Sequence, residues 1–231
     1  MGRVFFTSDL HFGHSNIIKY SPFFRKFKSA DEMDEALVNL WNETIKPDDI
    51  VYNLGDVSFH RRTSDIKKVL RRLNGHHILI LGNHDGLIRD SMDSFLKEKK
   101  DDGNRLFDEI VCYKEISLMD SGEKCHKFVL FHYPILEWSG AHDGTIHLYG
   151  HLHDELASIK GRALNVGYDL HGKFLTIDEV VEHVGDIEPL GIRKNKLLDN
   201  GDTVETRKYT VKNLIKEINQ NRLFGNSQIV Y

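Results

Sequence analysis

Short apolar runs alternate with amphipathic stretches through the first hundred residues. The apolar runs are rich in β-branched and aromatic residues, which predicts β-strands. The predicted strands cover residues 4–7, 50–54 and 78–81. Between them, apolar residues recur at helical spacing, after a Ser29–Glu32 capping box and again after Ser64. A weaker helical pattern covers about 87–99, so strands and helices alternate along this part of the chain.

The second half of the chain changes character, because its strand candidates follow one another with turns between them. These candidates cover residues 110–113, 127–131, 146–149, 163–167 and 173–175. A capping box at Thr176 and Glu179 predicts a short helix after the last of them. The whole pattern predicts an α/β domain over residues 1–185. Residues 186–231 form a basic and polar extension with a helix candidate at about 210–220.

Five loops each follow an apolar run and begin with side chains that can bind a metal ion. In Gly82-Asn83-His84-Asp85, we expect the glycine to let the chain turn sharply out of the sheet. Open α/β sheets bind ligands at the carboxyl ends of their strands, so these side chains should meet at one edge. The candidate metal ligands are Asp9, His11, Asp56, Asn83, His132, His151 and His153.

The mixture of carboxylate and imidazole donors suits manganese, iron, zinc or cobalt and does not suit a calcium cage. Residues two apart in an extended segment point the same way, so Asp9 with His11 can form a two-donor clamp. His151 and His153 can form a second clamp. One ion takes about four such ligands. Because the chain offers more, we expect two ions that share Asp56.

Each loop taken alone also has an ordinary structural interpretation. A Gly-Asp pair is common in turns, Asp85 could cap a helix, and His132 could be a hydrogen-bonded core residue. The coincidence of such residues at five successive strand ends favours metal chemistry.

Composition narrows the functional classes further. The chain of 231 residues is 40% hydrophobic and 29% charged, which is ordinary for a soluble globular protein. Its net charge of −4 gives no general reason to expect nucleic-acid binding. Cys112 and Cys125 form no metal or redox motif, and neither a signal peptide nor a membrane-length apolar run is evident. We expect a cytoplasmic protein that does not bind membranes.

The ordered motifs resemble those of the calcineurin-like metallophosphoesterases. The signature of that superfamily is Asp-x-His, Gly-Asp, Gly-Asn-His-(Asp/Glu), His and Gly-His-x-His, and every part stands in this chain over about residues 3–180. The extended first motif, Ser8-Asp9-Leu10-His11-Phe12-Gly13-His14, is similar to that of the small bacterial and phage branch. The resemblance implies a two-sheet β-sandwich flanked by helices, with a short C-terminal extension.

The resemblance also implies roles for individual residues. It implies two divalent transition-metal ions, with manganese expected and Fe, Zn, Ni or Co as alternatives. Their ligands would be Asp9, His11, Asp56 and His153 for the first ion and Asp56, Asn83, His132 and His151 for the second. A metal-bridging hydroxide would attack phosphorus, and His84 would donate a proton to the leaving group. Asp85 would orient the His84 ring.

Several residues beside the motifs are candidates for contact with the substrate. They are His14, Asn16, Arg61 and Tyr133, with His60 and Arg62 in the same loops. His14 is the best of them, because it belongs to the extended first motif.

Departures from the superfamily pattern narrow the substrate class. The protein-phosphatase branch has an arginine before Gly-Asn-His-Glu, whereas this chain has Leu81 there and Asp85 in place of the glutamate. The longer second motif of that branch is also missing. A phosphodiesterase that acts on a nucleotide-type or other small phosphate ester is therefore favoured over a phosphoprotein phosphatase.

Two alternatives stay open. A nuclease acting on single-stranded or terminal DNA or RNA would share the ligands but would need a basic surface. The candidate basic residues are Arg193, Lys194, Lys196, Arg207, Lys208, Lys212 and Lys216. We expect this extension instead to pack on the domain or to mediate self-association, for example as a homodimer. A catalytically silent binding or scaffold protein would retain the fold but would be expected to lose a ligand or His84.

Overall fold

The computed structural model of the protein describes residues 2–191 and, farther along, residues 212, 213, 215 and 216. The chain divides into two units, Met1–Ile192 and Arg193–Tyr231. The four described residues of the second unit are helical and fall within the helix predicted at about 210–220. The basic positions predicted from 193 to 208 lie outside the described residues.

The first unit combines helices and strands largely in the order that the apolar pattern predicts. The elements are β1 (Val4–Thr7), α1 (Ile17–Tyr20), α2 (Ala30–Thr44), β2 (Ile50–Asn53), α3 (Thr63–Leu70), β3 (His76–Ile80), α4 (Gly86–Asp90), α5 (Met92–Lys97), β4 (Glu109–Val111), β5 (Tyr113–Met119), β6 (Cys125–Phe131), β7 (Ile146–Tyr149), β8 (Ala163–Asn165), α6 (Tyr168–His171), β9 (Leu175–Thr176) and α7 (Ile177–Val184). Ser29 caps α2, and Thr176 with Glu179 forms a complete capping box at α7.

The strands form two sheets that pack face to face. The first sheet has the order β4-β3-β2-β1-β9, with β1 to β4 parallel and β9 antiparallel to β1. The second has the order β5-β6-β7-β8, with β5 antiparallel and the others parallel. Phe5 packs beneath helices α2 and α3, whereas the next residue, Phe6, packs against Phe128 of the second sheet. Because both faces of the first sheet are buried, its strands are continuous apolar runs. The expected two-sheet α/β sandwich flanked by helices is confirmed.

The structure corrects the predicted elements in several places. The strand predicted at 110–113 is divided at Cys112, where the chain leaves β4 in the first sheet and enters β5 in the second. β5 alternates exposed and half-buried residues, so its apolar signal is weak. The helix predicted at 87–99 is broken at Ser91 into α4 and α5. β3 begins at His76, two residues earlier than predicted, and the buried His77 ring lies between Trp41 and Phe107.

The first unit continues past residue 185, the boundary predicted from the sequence. Leu190 is buried in a small apolar cluster with Trp138 and Ala141. Its carbonyl accepts a hydrogen bond from His142. Among the described residues, no helix has both the length and the apolar character needed to cross a membrane.

Candidate metal centre

The predicted ligand loops all leave the carboxyl ends of parallel strands. The residues that follow β1, β2, β3, β6 and β7 include Asp9, Asp56, Asn83, His132 and His151. Main-chain hydrogen bonds join neighbouring loops: His11 N–H donates to the Asp56 carbonyl at 3.0 Å, and Gly150 N–H donates to the His132 carbonyl at 2.9 Å. A further bond crosses between the sheets, because the His151 N–H donates to Asp9 Oδ2 at 2.9 Å. The two sheets therefore present their ligand loops at the same end of the sandwich.

One group of donors consists of Asp9, His11 and His153, whose candidate ligand atoms lie within 4.8 Å of one another. Asp9 Oδ1 and His11 Nε2 are buried and have no hydrogen-bond partner among the described residues. A buried polar atom without a partner is costly, and a bound cation would satisfy both atoms. Burial lowers the pKa of His11, which keeps its imidazole neutral and able to donate a lone pair.

A second group consists of Asp56, His132 and His151, also within 4.8 Å of one another. The Asn83 side-chain oxygen joins it, 2.9 Å from His151 Nδ1 and 3.1 Å from His132 Nε2. His132 Nδ1 donates to the Leu54 carbonyl at 2.6 Å. That hydrogen bond fixes the tautomer and leaves Nε2 as the atom that faces the group.

Asp56 lies between the two groups. Its Oδ2 is 3.7 Å from His11 Nε2 and 3.5 Å from His132 Nε2. Burial opposes ionisation of Asp56, but the adjacent His132 and the His84 main-chain N–H, which donates to Oδ1 at 2.8 Å, outweigh burial and lower the pKa of Asp56 to about 2. A carboxylate that is ionised at neutral pH and adjoins two donor groups fits a pair of divalent ions.

The predicted ligands share an unusual backbone conformation. Among the described residues, six that are not glycine have positive φ, and five of the six are predicted ligands. They are Asp9, His11, Asp56, His151 and His153, with φ between 54° and 71°. This left-handed conformation is strained for residues with a Cβ, and such strain concentrates at functional sites. These residues all lie where the chain leaves a strand and enters a loop that carries predicted ligands.

The motif glycines are required for close approach between loops. A Cβ on Gly82 would lie 2.3 Å from Asp56 Oδ1, and a Cβ on Gly150 would lie 1.9 Å from Ser8 Oγ. Gly82 has no left-handed φ. The expectation that Gly82 serves a sharp turn is therefore corrected: the position is glycine because Asp56 occupies the space a side chain would need.

Asp85 does not orient the His84 ring, contrary to the sequence-based expectation. Its side chain is buried, and both oxygens accept hydrogen bonds from main-chain N–H groups, at 2.9 Å from Asp56, 2.9 Å from Val57 and 2.8 Å from Gly82. Burial raises the pKa of Asp85 to about 6 against the effect of these donors. Asp85 precedes α4 but makes no side-chain capping bond to it. It fastens the Asp56 loop to the Gly82 loop.

His84 stands at the mouth of the site with 44% of its side chain exposed. Its main-chain N–H donates to Asp56 Oδ1 at 2.8 Å, and its ring Nε2 is 4.0 Å from Asp56 Oδ2. The Phe59 ring lies beside it, with centroids 4.3 Å apart. Phe59 also stacks on His14 at 3.7 Å. Sequence motifs did not single out Phe59, whose importance depends on contacts between three different loops.

The predicted substrate contacts occupy different surroundings. His14 Nδ1 lies 3.2 Å from His11 Nδ1, and burial together with the neighbouring imidazoles lowers the pKa of His14 to about 4. Tyr133 is partly exposed and meets the His151 ring edge-on at 4.7 Å. Asn16 and Arg61 are exposed. Contact of these four side chains with substrate stays a prediction.

Two neighbours of these candidates have structural partners. Arg62 forms an ion pair with Asp65 at 2.9 Å, and His60 lies 3.3 Å from Asp34. The motifs also omitted two buried charged residues, Arg25 and Asp169. Asp169 accepts a hydrogen bond from His153 Nδ1 at 2.8 Å. Arg25 in turn donates a hydrogen bond to Asp169. No local pattern in the sequence could have linked Arg25 to Asp169, because 144 positions separate them.

The chain is similar to several known proteins. An uncharacterized protein of Methanocaldococcus jannaschii, MJ1445, is 28% identical over 89% of this chain and 97% of its own length. The Gene 66 protein of Mycobacterium phage D29 is 28% identical over 81% of this chain and 98% of its own length. The crystal structure of AQ665, a protein of unknown function from Aquifex aeolicus, superposes with a TM-score of 0.57 at 23% identity, over 80% of this chain and all of AQ665. That likeness concerns the fold alone.

The sequence pattern of a known family covers most of the sandwich. Residues 2–155 match the family described as calcineurin-like phosphoesterase. The match spans the loops after β1, β2, β3, β6 and β7, which carry all the predicted ligands. Members of this family are metal-dependent phosphoester hydrolases that use two divalent ions, and the donor groups described above fit such a pair. The chain belongs to the calcineurin-like phosphoesterase family.

Proposed function

We propose that this metal-dependent phosphoester hydrolase is a phosphodiesterase that acts on a nucleotide-type or other small phosphate ester. The observation that carries the proposal is the pair of donor groups that share Asp56, with the half-exposed His84 beside them. Two divalent ions bound there would supply an activated water and positive charge against the phosphoryl oxygens. Manganese is the metal we expect.

Three side chains of the protein have separate roles in the proposed reaction. Asp56 stays ionised and adjoins both donor groups, while Asp85 holds its loop against Gly82. His84 is exposed enough to meet the leaving oxygen and can pass it a ring proton. Because Asp85 makes no described contact with the His84 ring, we assign its support to the packing of Phe59 and to the hydrogen bond from its own main chain to Asp56.

The charges around the site favour a diester over a phosphoprotein monoester. A monoester brings an additional negative charge, which the protein-phosphatase branch meets with an arginine before its Gly-Asn-His-Glu motif. Here Leu81 occupies that position and is buried. Arg25, which adjoins the Asp9 loop, is fully buried and paired with Asp169, so it cannot reach a substrate.

Hydrolysis of chromogenic esters tests the proposal. Purified protein with Mn²⁺ should cleave bis(p-nitrophenyl) phosphate faster than p-nitrophenyl phosphate, and Asp56→Asn should abolish cleavage. Asp49→Asn is the matched control, because Asp49 is a buried carboxylate that accepts main-chain N–H bonds at the opposite end of β2. Protein that holds two ions but is inert toward simple mono- and diesters would refute the enzyme proposal and favour the silent binding protein.

The nuclease alternative depends mainly on basic residues outside the described part of the chain. Single-stranded DNA and RNA therefore belong in the same screen as cyclic and linear nucleotides. The cytoplasmic location and the homodimer stay predictions. Size-exclusion chromatography with light scattering would measure the oligomeric state directly.

A further inference from the structure

We propose that Arg25 and Asp169 are positioning residues for the first metal ion. Together they link the Asp9 loop to His153 through buried charges. The inference rests on the proposed two-ion site, but it does not depend on which phosphate ester is cleaved.

Asp169 determines which nitrogen of His153 faces the donor group. Its Oδ2 accepts a hydrogen bond from His153 Nδ1 at 2.8 Å. A carboxylate can only accept, so the proton resides on Nδ1 and the lone pair on Nε2. Carboxylate–histidine pairs of this kind fix the ring orientation of metal ligands and strengthen them as donors. Asp169 follows β8 and lies in α6, outside every motif considered from the sequence.

Arg25 fixes Asp169 in turn. Its Nε and one terminal nitrogen donate to the two carboxylate oxygens of Asp169. The same terminal nitrogen donates to the Asp9 carbonyl at 2.6 Å, and the other donates to the Leu10 carbonyl at 2.9 Å and to Met33 Sδ at 3.3 Å. A guanidinium has five N–H donors, and each of them has a partner here.

The complete burial of this pair points to a role beyond stability. The side chains of Arg25 and Asp169 are both 0% exposed. A buried ion pair loses much of its Coulombic gain to desolvation, so it is weak evidence of stabilisation. This pair instead connects the main chain of one ligand, Asp9, to the side chain of another, His153, and both belong to the first donor group.

The second donor group has a different kind of support. His132 donates its Nδ1 proton to a neutral main-chain carbonyl, that of Leu54. His151 Nδ1 faces the Asn83 side-chain oxygen. Arg25 and Asp169 make no described contact with Asp56, Asn83, His132 or His151. Loss of the buried Arg25–Asp169 pair should therefore weaken binding of the first ion and leave binding of the second unchanged.

The test measures ion binding directly. Isothermal titration with Mn²⁺ gives the affinity of each site, elemental analysis gives ions per chain, and electron paramagnetic resonance distinguishes a spin-coupled pair from a single ion. We expect Asp169→Asn to weaken the first site about 10- to 100-fold and leave the second site unchanged. At limiting Mn²⁺, the coupled-pair signal should be replaced by that of a single ion.

A second variant distinguishes the loss of metal positioning from misfolding caused by an unpaired buried charge. Asp169→Asn leaves the Arg25 cation buried without its partner, whereas the double variant Arg25→Met, Asp169→Asn removes both charges. The double variant should show the same selective loss. His153→Gln, which removes the ligand itself, gives the upper limit of the effect, and Asp49→Asn serves as the control for loss of a buried carboxylate paired with arginine.

The outcomes separate this inference from the function. If Asp169→Asn and the double variant bind both ions as the wild type does, the inference is overturned. Equal weakening of both sites would also overturn it, because that result indicates a general structural role. Failure of the wild type to bind two ions would instead overturn the two-ion site on which the proposed function stands.

Discussion

Gly82→Ala tests whether the close approach of two loops assembles the metal centre. A Cβ at this position would lie 2.3 Å from Asp56 Oδ1, 2.6 Å from the Asp56 nitrogen and 2.9 Å from His132 Cε1. Non-bonded atoms rest about 3.5–4.0 Å from a carbon, so one methyl group has to displace two ligands by roughly 1 Å. Neither the turn nor the backbone of residue 82 requires glycine, because its φ is not left-handed.

The displacement should affect ion binding more than folding. Overpacking by one methyl group costs about 1–3 kcal/mol, which many domains survive. Metal sites, in contrast, tolerate changes of only about ±0.2 Å in ligand distance. We expect Gly82→Ala to retain its fold in urea titrations with EDTA but to lose tight binding of one ion. Its kcat/KM for bis(p-nitrophenyl) phosphate should fall about 100-fold.

Gly86→Ala, four residues later at the start of α4, provides the matched control. A Cβ there would meet Arg89 Nη2 at 3.5 Å, an ordinary contact, and the residue again has no left-handed φ. This variant should keep both ions and full activity. If Gly82→Ala behaves like Gly86→Ala in elemental analysis and in the ester assay, the close-approach argument is wrong.

Three further predictions concern the acid, the ions and the pH dependence of stability. His84→Ala should slow cleavage of an alkyl phosphodiester more than that of a p-nitrophenyl diester, because a poor leaving group needs the proton; equal slowing would exclude His84 as the acid. Mn²⁺ at about 100 times its Kd should raise the free energy of unfolding by about 2.7 kcal/mol per ion, and Asp56→Asn should show little of this gain in thermal melts; a full gain in the variant would contradict the ligand assignment. Burial lowers the pKa of His147 to about 4 despite main-chain carbonyls near both ring nitrogens. Below about pH 6.5 the unfolded chain takes up a proton that the folded state resists, so stability should fall by about 3 kcal/mol between pH 6.5 and 4. In EDTA, urea titrations of His147→Gln should lack this part of the slope; the same slope in both proteins would refute the assignment.

The features that could be predicted from the sequence depend on neighbouring residues. The apolar runs of β1 to β3 are buried on both faces, so their burial is evident without knowledge of their partners. The Thr176 capping box is likewise a contact within four residues. The ligand loops could be placed at one edge because parallel strands share their carboxyl ends. The two-sheet sandwich was predicted only from the resemblance to the calcineurin-like metallophosphoesterases.

The features that could not be predicted depend on contacts between distant segments. β5 is an edge strand with alternating exposed residues, so its sequence pattern resembles that of a loop. Asp85 follows His84 directly, which suggested a partnership, but its carboxylate turns to main-chain groups 28 and 29 positions earlier. Arg25 and Asp169 meet across 144 positions. No periodicity or local motif carries such information.

The left-handed backbone at five of the predicted ligands has an evolutionary consequence. Each such residue costs roughly 1 kcal/mol or more relative to glycine, and the five together approach the net stability of an ordinary domain. A lineage released from selection for this chemistry would therefore recover backbone free energy wherever glycine replaced one of these residues, and at Asp56 it would at the same time lose the hydrogen bond from the His84 N–H. Substitutions should therefore accumulate among the predicted ligands before they accumulate in the hydrophobic core. This chain has an Asp or a His at all five of these positions and a glycine at none.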